Sequence, residues 1–311
     1  MDVSIIVPVY NNELYIKQCI ESLIHQKTKV KYEIIAINDG STDRSLEVLN
    51  NYKDQITVID KKNSGPGDSR NVGMKKAIGK YLMFVDSDDY VSTNFVDKMY
   101  NTITKTQADI VICDFYRVHR DDTITYLNKG KEGVYTKDHM NEALLMDFHS
   151  CNKIFTRDVI GSLKYPKGMF YEDVVFISEV ILNASKVVKI NDPLYYYRDN
   201  EHGTTNVIND TNYDILKAYE MIENDFINKG YKSEVEFLII DGILVNLLIR
   251  IIKSNIKDKK DVFYKIKNDI EKKYPDWYKN KYLKRCKKTK RLYLYCLRHN
   301  FYSIINKVFA K

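Results

Sequence analysis

Lys80–Tyr90, KYLMFVDSDDY, drives an apolar run straight into three carboxylates, Asp86, Asp88 and Asp89. The stretch Tyr81-Leu-Met-Phe-Val85 has the length and continuity of a buried strand. Closely spaced acids at its end repel one another unless a cation sits among them. Oxygen-only ligands suit a hard divalent ion, Mg2+ or Mn2+, which keeps open positions for phosphate oxygens. A lone D-x-D is more often a solvated acidic turn. Here three further strands end in similar punctuation.

Ser4-Ile-Ile-Val-Pro-Val-Tyr10 runs into Asn11-Asn12, and Tyr32-Glu-Ile-Ile-Ala-Ile37 into Asn38-Asp39-Gly40-Ser41-Thr42-Asp43. Ile56-Thr-Val-Ile59 runs into Asp60-Lys-Lys-Asn63. Helical spacing separates the strands: Ile16, Cys19, Ile20, Leu23 and Ile24 in the first interval, Leu46, Leu49 and Tyr52 in the second. Apolar strands alternating with helices predict an α/β fold with a mostly parallel sheet covered on both faces. Ligands of such sheets bind beyond the carboxyl ends of the strands. All four polar clusters should therefore gather at one edge.

Together SIIVPVYNN (4–12), NDGSTD (38–43), NSGPGDSRNVG (63–73), DSDD (86–89) and YEDVVF (171–176) resemble glycosyltransferase family 2. The likeness covers roughly residues 1–205. It implies the Rossmann-like GT-A fold and transfer of a sugar from a nucleoside-diphosphate donor, with inversion at the anomeric carbon. The domain expectation is a nucleotide-sugar-binding and catalytic domain over 1–205, followed by a helical region over 206–311.

The resemblance also implies residue roles. Asp39 would hydrogen-bond the base, with Pro8, Tyr10 and Asn11 beside it and Asn63 in the following loop. Arg70, in the triplet Ser69-Arg70-Asn71, would lie near the donor, although Arg suits carboxylates as well as phosphates and could clamp Asp86. Most relatives carry Ala where this chain has Ser69. Asp88 would coordinate the metal, with Asp86 on the ribose or in the metal shell. The E-D pair carries the base, which falls to Asp173 with Glu172 in support. Acids opening a helix also stabilise its dipole without any catalytic part. Downstream, Arg198 could pair with phosphate and His202 could join the metal, although a surface histidine is the plainer reading.

The formal net charge of +7 is unevenly spread. Lys279–Lys311 holds eleven Lys and Arg and no Asp or Glu, leaving a balance of −4 over the first 278 residues. Leu294, Leu297, Phe301, Ile304 and Val308 recur there at spacings of three and four, predicting a basic amphipathic helix. Such a helix either binds an anionic membrane surface or packs on its neighbours. The expected location is cytoplasmic, with attachment to the inner face of the membrane. Five cysteines without a C-x-x-C pair argue against a disulfide framework or zinc site. Phe237–Ile252 is interrupted by Asp241, Gly242, Asn246 and Arg250, and reads as a buried helix rather than a membrane span.

The expected partners are a nucleotide-sugar donor, UDP-linked by preference, and a glycan or lipid-linked acceptor. A homo-oligomer is compatible with the sequence. Nucleic acid is not expected, since the tail lacks a recognised motif and the remainder is acidic. Two other readings compete. A sugar-phosphate nucleotidyltransferase would open with a Gly-rich basic loop where Val-Tyr-Asn-Asn stands here. An inactive membrane-associated scaffold would have no need of intact DSDD and E-D.

Overall fold

The computed structural model describes residues 1–128, 130–200 and 210–309. The chain divides into two compact units, Met1–Gly203 and Thr204–Lys311. His202 lies outside the described residues.

The first unit is built on a ten-stranded sheet. Its strands are β1 Val3–Val9, β2 Tyr32–Asp39, β3 Thr57–Lys61, β4 Tyr81–Phe84, β5 Tyr90–Val91, β6 Ile110–Val118, β7 Ile124–Leu127, β8 Gly133–Thr136, β9 Lys153–Thr156 and β10 Lys186–Arg198. The order is β3-β2-β1-β4-β9-β6-β10-β5, with β7 on β6 and β8 on β10. Strands β1 to β4 pair in parallel, as their apolar runs predict. Beyond them the sheet is mixed, because β9 lies antiparallel between β4 and β6. Two antiparallel steps restore direction, so β6 and β10 again run with β1.

Helices α1 Ile16–Ile24 and α2 Ser45–Asn50 fall where the apolar spacing predicts them; α3 Pro66–Lys76 begins inside the glycine-containing stretch after β3, and α4 Phe95–Thr106 follows β5. Ile16, Cys19, Ile20 and Leu23 of α1 are all buried. Helix α3 comes unusually close to the sheet: a Cβ on Gly73 would lie 2.4 Å from Ile6 Cγ2 and 3.0 Å from Ile37 Cδ1. Pro8 sits inside β1, opposite Ile37. Ile6 accepts from Val85 N on the β4 side. Pro8, two residues on, faces that side past the end of β4, where its missing N–H costs no ladder bond.

The second unit is helical. Phe237–Ile252 falls in the run Lys232–Ile239, Ile240–Leu247 and Leu248–Lys253, whose middle segment winds as a π-helix. Tyr293 Oη donates to the carbonyl of Leu244 in that segment at 2.8 Å. No helix among the described residues is long and apolar enough to cross a membrane. The single amphipathic tail helix is not what forms: Lys288–Arg298 and Tyr302–Phe309 are separate helices. Leu294 and Leu297 are buried with Tyr293, Cys296 and Ile305, whereas Phe301, Ile304 and Val308 are exposed. Two of the five stripe residues are thus core.

Candidate active site

Because β1, β2, β3 and β4 are parallel, their trailing loops share one edge, and side chains stitch them together. Asn11, with φ of 49°, turns back so that its N–H donates to Ser41 Oγ at 3.1 Å and its Oδ1 accepts from Thr42 N at 2.8 Å. Asn12 N donates to Ser45 Oγ at 2.8 Å, and Asn12 Nδ2 to Ser87 Oγ at 2.6 Å. Glu13 N reaches Asp43 Oδ2 at 3.0 Å. Tyr10 stands exposed beside this clasp, and Pro8 is buried behind it.

Asp39 is almost wholly enclosed. Its carboxylate accepts from Lys61 Nζ, from Ser64 N at 2.9 Å and from Gly65 N at 2.8 Å. In this state Asp39 fixes the loop after β3, leaving part of its acceptor capacity for any base. Gly40 makes this possible: its φ is 67°, and a Cβ there would press on Asn63 N at 2.8 Å. Asn63 itself is exposed. Ser64 Oγ donates to Asp68 at 2.6 Å, and Lys167 pairs with the same carboxylate at 2.5 Å. The Lys167 and Ser64 hydrogen bonds lower the Asp68 pKa below the usual range.

The centre of the site is Arg70. One guanidinium nitrogen meets Glu172 Oε1 at 2.6 Å and the other meets Asp86 Oδ1 at 2.8 Å, with Arg70 and Glu172 both buried. The guanidinium carbon lies 5.4 Å from the centre of the Tyr165 ring. Arg70 is therefore a clamp on two acids rather than a group open toward the donor. Asn71 secures the same wall, trading two 2.9 Å hydrogen bonds with the backbone of Tyr165. Gly67 clears the approach, since a Cβ there would stand 2.9 Å from Glu172 Cγ.

The acids after β4 divide their work. Asp89 is buried, accepting from Tyr195 Oη at 2.7 Å and from Arg198 N at 2.8 Å. Tyr195 Oη also receives Asp86 N at 3.1 Å. Asp88 accepts from Asn200 Nδ2 at 3.0 Å. Burial, and then the neighbouring Asp86, push the Asp88 pKa up. Asp86, Asp89 and the thiol of Cys151 bring ligand-type atoms within 4.8 Å of one another. Asp89 is already engaged, and burial pushes Cys151 well above the ordinary thiol range, so it stays protonated. Asp88 stands outside that trio but feels the charge of Asp86, and a like-charge carboxylate pair is the kind a hard divalent cation relieves.

Arg198 is held rather than free. Its Nε donates to the Asp88 carbonyl at 3.0 Å and its Nη2 to Gln18 Oε1 at 2.6 Å, while its guanidinium lies 4.9 Å from the Tyr15 ring centre and 5.4 Å from that of Tyr90.

Tyr171, with φ of 63°, turns the chain into the helix Glu172–Asn183, which begins with the two acids. Asp173 Oδ1 accepts from Val174 N at 2.9 Å. Burial raises its pKa to about 7, Glu172 pushing the same way and Arg70 opposing. A carboxylate poised near 7 has the basicity that proton abstraction at neutral pH requires.

Sequence reasoning missed Lys61, Asp68, Asn71, Tyr165, Tyr195 and Asn200, which carry no ligand themselves but fix those that could. Asp68 and Asn71 lay within the NSGPGDSRNVG motif and Lys61 within the Asp60-Lys-Lys-Asn63 strand end, whereas Tyr165 and Asn200 carried no site signal.

With this geometry in place, comparison with known proteins is informative. Residues 4–163 match the model of Glycosyl transferase family 2. An uncharacterized glycosyltransferase of Bacillus subtilis, EpsJ, is 33% identical over 249 residues, which are 76% of this chain and 69% of that protein. The chain belongs to glycosyl transferase family 2. It is 30% identical over 211 residues to glycosyltransferase GlyA of Streptococcus pneumoniae, covering 63% of this chain but 30% of that longer relative. Among solved structures, Staphylococcus aureus TarS residues 1–349 in complex with UDP-GlcNAc superposes with a TM-score of 0.71 at 22% identity, over 87% of this chain and 80% of that one. The fold is thus GT-A, and the nucleotidyltransferase reading is set aside.

Proposed function

We propose that this chain transfers a sugar from a UDP-sugar to a hydroxyl of a glycan or lipid-linked acceptor, with inversion, in the assembly of a cell-surface polymer. The observation that carries this reading is the buried Arg70 bridge, which joins the metal-type acid Asp86 to the E-D pair in one rigid constellation. The similarity to TarS bound to UDP-GlcNAc favours a uridine nucleotide.

Asp88 and Asp86 would hold Mn2+ or Mg2+, which when bound offsets charge on the departing diphosphate as a Lewis acid. Asp173 takes the proton of the acceptor hydroxyl as that oxygen attacks the anomeric carbon opposite the leaving group. Glu172, tied to Arg70, fixes the first turn of the helix and so sets where Asp173 can reach. Asp39 and Asn11 shape the rim of the base pocket, with Tyr10 exposed next to it. Arg198, in its aromatic cradle, braces the backbone of Asp88.

The second unit supports attachment to an anionic membrane. Leu292, Tyr295, Phe301, Ile304 and Val308 are exposed within a segment that has eleven cations and no acid. Near an anionic leaflet each cation could contribute up to ~1 kcal/mol.

The deciding experiment is a panel of nucleotide sugars with Mn2+, scoring release of the nucleoside diphosphate with and without acceptor. Release from none of them by the wild-type protein would favour the inactive-scaffold reading.

A further inference from the structure

Four tyrosines stand in register across four adjacent strands. Tyr196 of β10 is the direct partner of Tyr90 on β5 and of Tyr116 on β6, and Tyr116 is the direct partner of Tyr126 on β7. Their rings follow one another at centroid spacings of 4.5, 5.0 and 6.5 Å. Strand alternation puts this row on the face opposite Tyr195 and Phe115, whose rings pack against each other in the core. Three inter-strand steps make the row about 14 Å long.

Cross-strand aromatic pairs stabilise sheets without any ligand, by roughly 0.2–1 kcal/mol each. Two observations exceed that role. Three tyrosines of this unit have partners for their hydroxyls: Tyr165 has Ser150, Tyr195 has Asp89 and Tyr126 has Asp114. The hydroxyls of Tyr90, Tyr116 and Tyr196 have no hydrogen-bond partner among the described residues, although their rings are half-buried. The row is also continuous with the candidate site. Tyr90 follows Asp89 directly, and Arg198 on the same face as Tyr196 stacks over Tyr90 while holding the Asp88 carbonyl.

We propose that Tyr90, Tyr196, Tyr116 and Tyr126 form a docking row for a linear oligosaccharide, the chain of the acceptor leading away from the reacting hydroxyl. This rests on the glycosyltransferase reading above and adds to it that the acceptor is a polymer rather than a single sugar. Tyr90 and Tyr196 stack at 11°, Tyr116 tilts on Tyr196 at 34° and Tyr126 meets Tyr116 edge-on at 67°, so the row offers ring edges and hydroxyls, each a donor and an acceptor, to a ligand that carries both along its length. Tyrosine has few rotatable bonds to freeze on binding. The row length exceeds one sugar ring, so affinity should grow with acceptor length.

The test uses the full chain and the triple variant Y90F/Y116F/Y196F, which keeps the stack and removes only the free hydroxyls. Linear oligosaccharides of glucose and of N-acetylglucosamine, from disaccharide upward, are titrated and followed by NMR with labelled tyrosine. For wild type, binding should tighten with length and shift the row's resonances. The triple variant should bind the longer oligomers about tenfold more weakly, with an unchanged circular dichroism spectrum. Absence of oligosaccharide binding to wild type, or the same length dependence in the variant, overturns the docking row. Absence of donor hydrolysis in wild type strikes at the glycosyltransferase reading instead, so the two failures are separable.

Discussion

Arg70 and Glu172, 102 residues apart in the chain, meet at 2.6 Å with both side chains buried, and the same guanidinium holds Asp86 at 2.8 Å. Neither acid can move without the other feeling it. Arg70→Met would leave Glu172 buried without a counter-charge, a loss of about 3–5 kcal/mol. Urea unfolding should show that loss in R70M, and the double variant R70M/E172Q should recover most of it. Transfer should stay depressed in both by ~10²-fold, since the positions of Asp86 and Asp173 are no longer fixed. A double variant that regains full transfer would show the clamp to be purely structural.

Asp173 supplies a pH dependence. Its pKa is raised to about 7, so the base is deprotonated only above that value. Transfer at saturating substrate should fall about tenfold per pH unit below it. For stability the sign is reversed. A carboxyl raised on folding contributes stability below its ordinary pKa and loses it as pH rises through about 7. Asp173→Asn should therefore melt higher than wild type at alkaline pH while transferring ~10²-fold more slowly. An Asn variant with normal transfer would move the base to Glu172.

Asp88 is the residue to remove for the metal. Asp88→Ala should abolish metal-dependent turnover with an unchanged circular dichroism spectrum, and EDTA should do the same to wild type. Full activity in EDTA would refute the metal assignment.

Gly73 tests the packing of α3 on the sheet. Gly73→Ala must displace Ile6, whose Cγ2 would stand 2.4 Å from the new Cβ. Overpacking of this kind costs typically ~1–3 kcal/mol, read as a lower urea midpoint.

Membrane attachment calls for point changes, because Tyr293, Leu294, Leu297 and Ile305 are core and truncation would remove them. Leu292→Glu and Ile304→Glu alter exposed positions only. Together they should release the protein from anionic liposomes while leaving donor hydrolysis intact. Equal sedimentation of variant and wild type would exclude this surface as the attachment point.

The parallel half of the sheet was legible because β1, β2 and β4 are buried on both faces and leave unbroken apolar runs. Strand β9, Lys153–Thr156, was not, being four residues long and carrying a fully buried lysine. Asp147 neutralises that lysine from six residues away, a pairing with no periodicity to betray it. In the site, the ligand-type acids were readable as strand-end clusters. Their supports were not, since Tyr195 and Asn200 reach Asp89 and Asp88 from over 100 residues away, and Tyr165 reaches Asn71 and Arg70 from over 90. The tail misled for a related reason. Its three-and-four spacing fits a buried stripe as well as an exposed one, and Asn300 with φ of 58° breaks the helix midway.

The clasp that Asn11, Asn12 and Glu13 make on residues 41–45 spans about thirty positions, whereas Arg70–Glu172, Tyr195–Asp89 and Asn200–Asp88 each span more than a hundred. On a ribosome the first can close once Ser45 has emerged, and the others only as Glu172, Tyr195 and Asn200 clear the exit tunnel. Contacts of long sequence separation are the slow ones to form, and domains acquire structure from the N-terminus during synthesis. The nascent chain thus ties its first two strand ends together early and its acid constellation last, so the charged cluster forms only when the first unit is nearly whole.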